Sequence, residues 1–390
     1  MRITPYLSRR TRWAVPGGVA AVVAGAVVAS AITVAQAAPG LPSRTPAQLL
    51  AAVGDQTAPP PPLTGTVVET ARLGIPQLPG SDSPNQISSL LSGNHTVKVW
   101  YADPRHIRLA VPVPLGETDF ICNGSTAWMW QSSKNSVTKF ALPAGDHAGA
   151  AASGEWHGKP LTPAEAAQRV LAAVGPSTKV TTESNVMVAG QAAYQLVIAP
   201  KDTRSLVGKI TVAVDGAHPG VPLRVQVFAR GATSPAFQVG YTSISFVRPA
   251  PANFAFAPPR GAHVHTMTLH PAKARYQASQ AGAPRIIGRD WLSVAVLPAT
   301  DLSGLAGGNA AGLAGQAARS AAGQGGSGGS GENAAIMAAL LKSATAVHGA
   351  WGSGKLLKTS LVSVLITSNG HLLVGAVTPQ VLYSAAAQVK

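Results

Sequence analysis

Two stretches of strict alternation limit the fold more than any other feature of this chain. In Lys209 to Val214, the side chains of Ile210, Val212 and Val214 point one way, and those of Lys209 and Thr211 the other. Leu223 to Ala229 repeats the pattern, with Leu223, Val225 and Val227 opposite Arg224 and Gln226. A period of two places successive side chains on opposite faces of a pleated strand, so each stretch predicts a strand with one packed and one wet face. Val97, Val99 and Tyr101 alternate with Lys98, and after a turn at Asp103-Pro104 Ile107, Leu109 and Val111 alternate with His106 and Arg108. Phe237, Val239 and Tyr241 hold one phase and Ile244 and Phe246 the other, which predicts a β-bulge near Thr242 or Ser243. Antiparallel sheets alternate in this way because one face is buried, so the expectation is a long antiparallel meander from Thr64 to about Val264. With only 12% charged residues, 41 Gly and 31 Pro, the composition excludes a helical bundle and suits many short strands joined by turns.

Three helix starts punctuate the strands. Thr45-Pro46-Ala47-Gln48 and Thr162-Pro163-Ala164-Glu165 are capping boxes, with Thr at the N-cap, Pro at N1 and an acid or amide reaching back from N3. Thr378-Pro379 starts a third helix without the reciprocal group. Val170, Leu171 and Val174 line one side of the second, which stops at Gly175-Pro176. A highly curved sheet with helices against its concave side makes a half-open antiparallel β-barrel, mainly β with some α. Residues 266–288 read as a linker, polar and proline-bounded from Arg275 to Arg285. Residues 289–390 read as a small α+β domain, with strands at Asp290 to Leu297, Leu356 to Thr367 and His371 to Val377, and a helix from Asn333 to Val347. Gly304 to Gly331 is Gly, Ala and Ser with almost no charge, the composition of a disordered insert.

The first 37 residues read as an export signal. Arg9, Arg10 and Arg12 form a positive start, Ala14 to Val34 is uncharged, and Ala35-Gln36-Ala37 fits a cleavage site before Ala38. The apolar run is also near the length of a spanning helix, so an uncleaved anchor in the cytoplasmic membrane stands as the alternative to secretion. Net charge is +15, and the four arginines of this segment account for part of it. The remaining basic residues are scattered singly along strands. That argues against a nucleic-acid partner and for a bias toward anionic membrane surfaces.

Chemistry is thinly represented. Gly325-Gly326-Ser327-Gly328-Gly329 matches a nucleophile-elbow pattern and Gly326 to Gly331 a phosphate-loop pattern, but both lie in the insert with no preceding strand. His263, His265 and His270 are the best metal candidates, yet no Cys or acid lies close by in sequence to complete a shell. The 15 acids form no conspicuous pair, and the single cysteine, Cys122, shares a strand face with Phe120 and reads as a packed residue. No cofactor, metal or enzymatic activity is expected. Trp128-Met129-Trp130 puts two indoles on one strand face and Met129 on the other, either as core or as the lining of a lipid cavity. Ile87 to Leu91, within Pro76 to Gly93, reads as a short amphipathic helix, either an ordinary surface helix or a lid.

Four segments in series resemble the LolA superfamily. They are Asp103-Pro104 with the basic strand Arg105 to Leu109, Phe120 to Trp128 with its Gly124 turn, Val188 to Leu196, and Phe254 to Ala262. The third is similar to a V-A-G-R-x-x-Y-x-L pattern with Gln191 in place of Arg, and the fourth to a closing F-x-F-x-P-P-x-G strand. The resemblance spans about Thr45 to Val264. Val374 to Leu382 resembles the V-G-E-V-P-x-x-T-L ending of RseB/MucB-type proteins, with Ala376 in place of Glu. The resemblance implies a LolA-like half-barrel at 45–265 with a helical lid, holding acyl chains of lipids or lipoproteins without chemistry. It also implies a C-terminal domain that meets a membrane protein, an anti-sigma factor in RseB/MucB relatives. An extracytoplasmic carrier, a regulator of that kind, and a structural envelope protein with an empty cavity are the readings left open. For a cavity, the candidates are Leu90 and Leu91 in the lid, with Val99, Leu109, Trp128, Trp130, Leu196, Val212 and Val225 on the wall.

Overall fold

The computed structural model describes residues 40–55, 59–74, 92–113, 115–141, 162–171, 174–268, 285–298 and 343–389. The export segment, most of the lid, the polar 269–284 passage and the Gly/Ala/Ser-rich insert lie outside them. From Leu41 to Lys390 the chain forms one compact unit.

Mainly β structure emerges, in two sheets. The larger takes β1 (Leu63–Arg72), β2 (Ser92–Asp103), β3 (His106–Val113), β4 (Gly116–Asn123), β5 (Thr126–Gln131), β6 (Ser136–Ala141), β7 (Thr178–Val188), β8 (Gln191–Pro200), β9 (Val207–Asp215), β10 (Pro222–Ala229), β11 (Phe237–Ser245) and β12 (His263–Thr268). Their order in space is β12-β6-β5-β4-β3-β2-β1-β11-β10-β9-β8-β7. The expected single meander is therefore two meanders, β1 to β6 and β7 to β11, joined where β1 pairs with β11. β12 then returns to lie parallel to β6. The end strands β7 and β12 do not pair with each other, so the sheet stays open. Both edges carry exposed polar residues that blunt further pairing: Lys179, Glu183 and Ser184 on β7, and His263, His265 and Thr266 on β12.

The bulge falls where the change of phase put it. Thr66 pairs with Ser243 and Val67 with Tyr241, leaving Thr242 unpaired. A second bulge escaped the sequence. Pro222 pairs with Val214 and Arg224 with Ala213, so Leu223 is the extra residue. It leaves the face shared by Val225 and Val227 and joins Val188, Ala213 and Val221 on the opposite side. Alternation cannot reveal this slip, because Leu suits either face.

Helix α1 (Pro46–Gly54) and helix α2 (Pro163–Leu171) both begin at reciprocal capping boxes. The Thr45 hydroxyl accepts the Gln48 N–H while Gln48 Oε1 accepts the Thr45 N–H, and Thr162 and Glu165 repeat the exchange. Helices this short are marginal alone, and packing holds them. Leu49 and Val53 of α1, and Ala166, Ala167 and Val170 of α2, join the core of the large sheet, and Gln168 Nε2 donates to Val53 O to tie the two together.

In the second sheet β13 (Arg285–Ile287), β14 (Val294–Pro298), β15 (Thr345–Gly349), β16 (Gly352–Lys358), β17 (Ser363–Thr367) and β18 (His371–Gly375) run in the order β13-β14-β18-β17-β16-β15. Helix α3 (Pro379–Ala386) packs Leu382, Ala385 and Ala386 against Val294, Leu365 and Leu373, and Trp351 stacks on Tyr383. Thr378 stands at the N-cap of α3 without a side-chain hydrogen bond. The helix expected to run to Val347 is corrected at its end. Thr345 to Val347 belong to β15, whose partner Leu356 to Gly354 on β16 supplies the hydrogen bonds that local propensity could not foresee.

Candidate ligand-binding face

Register fixes which residues of the large sheet share its helix-bearing face. Leu109 pairs with Val99 on one side and Phe120 on the other, and Phe120 pairs with Met129. Leu196 pairs with Val212, Val212 with Val225, and Val225 with Val239. All of these pack in one cluster with α1 and α2. Five expected wall residues, Val99, Leu109, Leu196, Val212 and Val225, thus lie together on one inner face. Leu90 and Leu91 lie outside the described residues.

Trp128 and Trp130 are placed elsewhere. Trp128 pairs with Ile121 and Lys139, Trp130 with Asp119 and Val137, and all six point away from the helices. Their role there is to receive a strap. After β11 the chain crosses the outer face: Arg248 Nη2 donates to Asp103 Oδ2 at 3.0 Å, buried Phe254 meets His106 edge-on at 5.8 Å, and Phe256 meets Trp128 and Trp130 at 5.6 and 6.4 Å. Asn135 Nδ2 then holds Gly261 O, and β12 begins. The Phe254 to Ala262 segment, expected as a closing strand, is this strap, opened by a 3-10 turn at Pro251–Phe254. Three prolines, Pro251, Pro258 and Pro259, lack the N–H groups a ladder needs.

The inner residue that alternation offered but sequence reasoning passed over is Met129. It is half-buried on the inner face, as are Tyr101, Ile107, Val113 and Met267. Among the described elements, α1 and α2 lie over the β7, β10 and β11 side of the sheet, so these five occupy the half away from them. Thioether and ring side chains of this kind adapt to irregular apolar shapes. The face is nearly neutral. Burial, aided by the Asp103 charge, pushes the Tyr101 hydroxyl up to about 12, and burial with the same neighbour pushes the Cys122 thiol up to about 11, so neither ionises near neutral pH. One acid interrupts the apolar rows: Glu69, 3% exposed, with His95 and Val239 as its cross-strand neighbours.

The outer face holds the charge. Arg108 pairs with the buried Asp119 and lies over the Trp100 ring. Burial raises the Asp119 carboxyl above its ordinary value despite the neighbouring Arg108. At the β2–β3 turn Asp103 is only lightly covered. Burial opposes its charge, but hydrogen bonds from His106 and the Arg105 N–H, with Arg248 nearby, hold its carboxyl below the usual range.

The second sheet meets one end of the inner face. Ser360 N–H donates to Leu73 O at 2.9 Å, and Leu361, 8% exposed, joins the large sheet's core together with Val362, Trp291 and Ala376. Leu206 N–H donates to Ala376 O, Thr378 N–H to Arg204 O, and Trp291 Nε1 to Thr178 Oγ1. No sequence signal marked the Thr359 to Val362 turn for this contact. Of the histidines considered for a metal, His263 and His265 are exposed on β12, and among the described residues no group of three ligating side chains forms. No described helix is long and apolar enough to cross a membrane.

No family model matches the sequence, and no curated protein does. Solved structures do. The chain is similar to the MucA/MucB complex of Pseudomonas aeruginosa at 12% identity, covering 87% of this chain and 94% of that one, with a TM-score of 0.37. LprF from Mycobacterium bovis aligns at 13% identity over 57% of this chain and 100% of its own, TM-score 0.27. A LolA superfamily protein from Nitrosomonas europaea aligns at 12% identity over 55% and 99%, TM-score 0.22.

Proposed function

We propose that this protein is an extracytoplasmic carrier that holds acyl chains of lipids or lipoproteins against the inner face of its large sheet, by binding alone. The observation that carries this reading is the half of that face bearing Met129, Met267, Tyr101, Ile107 and Val113, half-buried and apolar on an open sheet. An acyl chain laid there gains about 0.8 kcal/mol per buried methylene, so ten or so reach micromolar affinity after ordering costs. On this reading residues 45–265 form a LolA-like half-barrel whose lid is the segment around Leu90 and Leu91, and the signal segment directs export. The test is lipid extraction and mass spectrometry of protein purified from its own host envelope. Stoichiometric acyl species support the carrier; protein free of lipid that also binds no fluorescent acyl probe refutes it.

A second reading has its own support. The Thr359 to Val362 turn places Leu361 in the core of the large sheet, so a ligand on the inner face and a membrane-protein partner on the second sheet would be coupled. That is the arrangement an RseB/MucB-like regulator of an anti-sigma factor requires. A partner whose affinity is unchanged by loading with lipid excludes it.

A further inference from the structure

One hairpin tip carries two costs that the fold does not explain. Leu115, between β3 and β4, is 104% exposed, and its backbone lies at φ 61°, in the left-handed region that glycine and asparagine occupy cheaply. A bulky apolar residue there gains nothing from packing among the described residues. Yet the tip is firmly built. The Ser132 hydroxyl accepts the Glu117 N–H at 2.7 Å and donates to Glu117 O at 3.2 Å, an approach so close that a Cβ on Gly116 would sit 2.5 Å from the Ser132 oxygen. Asn135, in the same β5–β6 turn, donates to Gly261 O and accepts the His263 N–H, each at 2.9 Å. Three turns are thus fastened into one platform at this end of the sheet.

The platform's charge points to what meets it. Lys134 on the second turn and Arg260 on the third are both exposed, against one exposed acid among the described residues of these turns, Glu117, and Val264 beside them is a further exposed apolar residue. The chain as a whole is strongly basic, at +15. An apolar residue projecting from a rigid basic rim is the pattern by which proteins enter a lipid headgroup layer. We propose that this end of the large sheet docks on an anionic lipid bilayer, with Leu115 reaching the acyl boundary and Lys134 and Arg260 meeting the headgroups. This surface lies at a hairpin tip, apart from the inner face, and stands whether or not the inner face binds lipid.

The test is co-sedimentation of the chain from Ala38, which retains every buried cluster, with phosphatidylcholine vesicles containing about one-third phosphatidylglycerol or none. Wild type should bind the anionic vesicles, and added salt should weaken that binding. Leu115→Gly should lower partitioning about tenfold while the melting temperature stays level or rises, because glycine accepts the positive φ without strain. Paired K134E and R260E substitutions should lower binding further, about fivefold for each cation lost, and abolish the salt dependence. Equal binding of wild type to neutral and anionic vesicles, or Leu115→Gly binding as well as wild type, overturns the proposal.

Discussion

The two faces of the large sheet differ in how far apolar residues extend across them. On the inner face, apolar rows run across the strands from Phe120 through Leu109 and Val99, and from Leu196 through Val212 and Val225 to Val239. On the outer face apolar residues gather where the strap crosses, around Ile121, Val137, Trp128 and Trp130, and in a smaller cluster of Val188, Ala213, Val221 and Leu223. Elsewhere it is hydrophilic: Thr211 donates to Gln226, which donates to Gln238. The large aromatic side chains Trp128 and Trp130 meet a segment of the same chain, whereas Met129 and Met267 lie half-buried on the opposite face.

The comparison breaks most visibly under a buried charge. Val225→Lys, at a site 1% exposed on the inner face, should cost about 4 kcal/mol, seen as a collapse of the urea midpoint. Phe254→Ala should cost about 3 kcal/mol by emptying the strap's anchor, with inner-face binding retained in the folded fraction. The neighbours on β5 sharpen the contrast. Met129→Lys should abolish binding of a fluorescent acyl probe with the circular dichroism unchanged, while Trp128→Lys should leave the affinity within about twofold. Loss at Trp128 and not at Met129 would assign the ligand to the wrong face. The smallest effect belongs to Asp103. Its carboxyl is lowered in the folded state, so its contribution is complete above the unfolded value near 4 and disappears as the pH falls through the lowered one. Asp103→Asn should cost under about 1 kcal/mol at neutral pH, since the site is mostly in water, and nothing in strong acid, as followed by urea titration at each pH.

Much of this was legible in the chain because its signals are local. Capping boxes at Thr45 and Thr162 need only four consecutive residues, and the Thr242 bulge needs only a change of phase. Five wall candidates, Val99, Leu109, Leu196, Val212 and Val225, lie on one face because cross-strand register carries a side chain's orientation from each strand to the next. What failed was any inference that needed to know what lies on the other side. Trp128 and Trp130 share a face by alternation, but only the strap, more than 120 residues later, decides that this face is outward. Leu223 slipped because a bulge is set by the partner strand, and Thr345 to Val347 became a strand because β16 was there to pair with it.

The sequence by itself determined the alternating strands β2, β3, β9, β10 and β11 and where α1, α2 and α3 begin, since propensity, capping and period act within a few residues. Tertiary structure decided the rest: that β1 sits between β2 and β11, that β12 returns parallel to β6, that the strap claims the tryptophans, and that Leu361 enters the core of the other sheet. Each of these joins residues far apart in the chain. Their energy comes from surface removed from water jointly by both partners, a quantity neither segment carries alone.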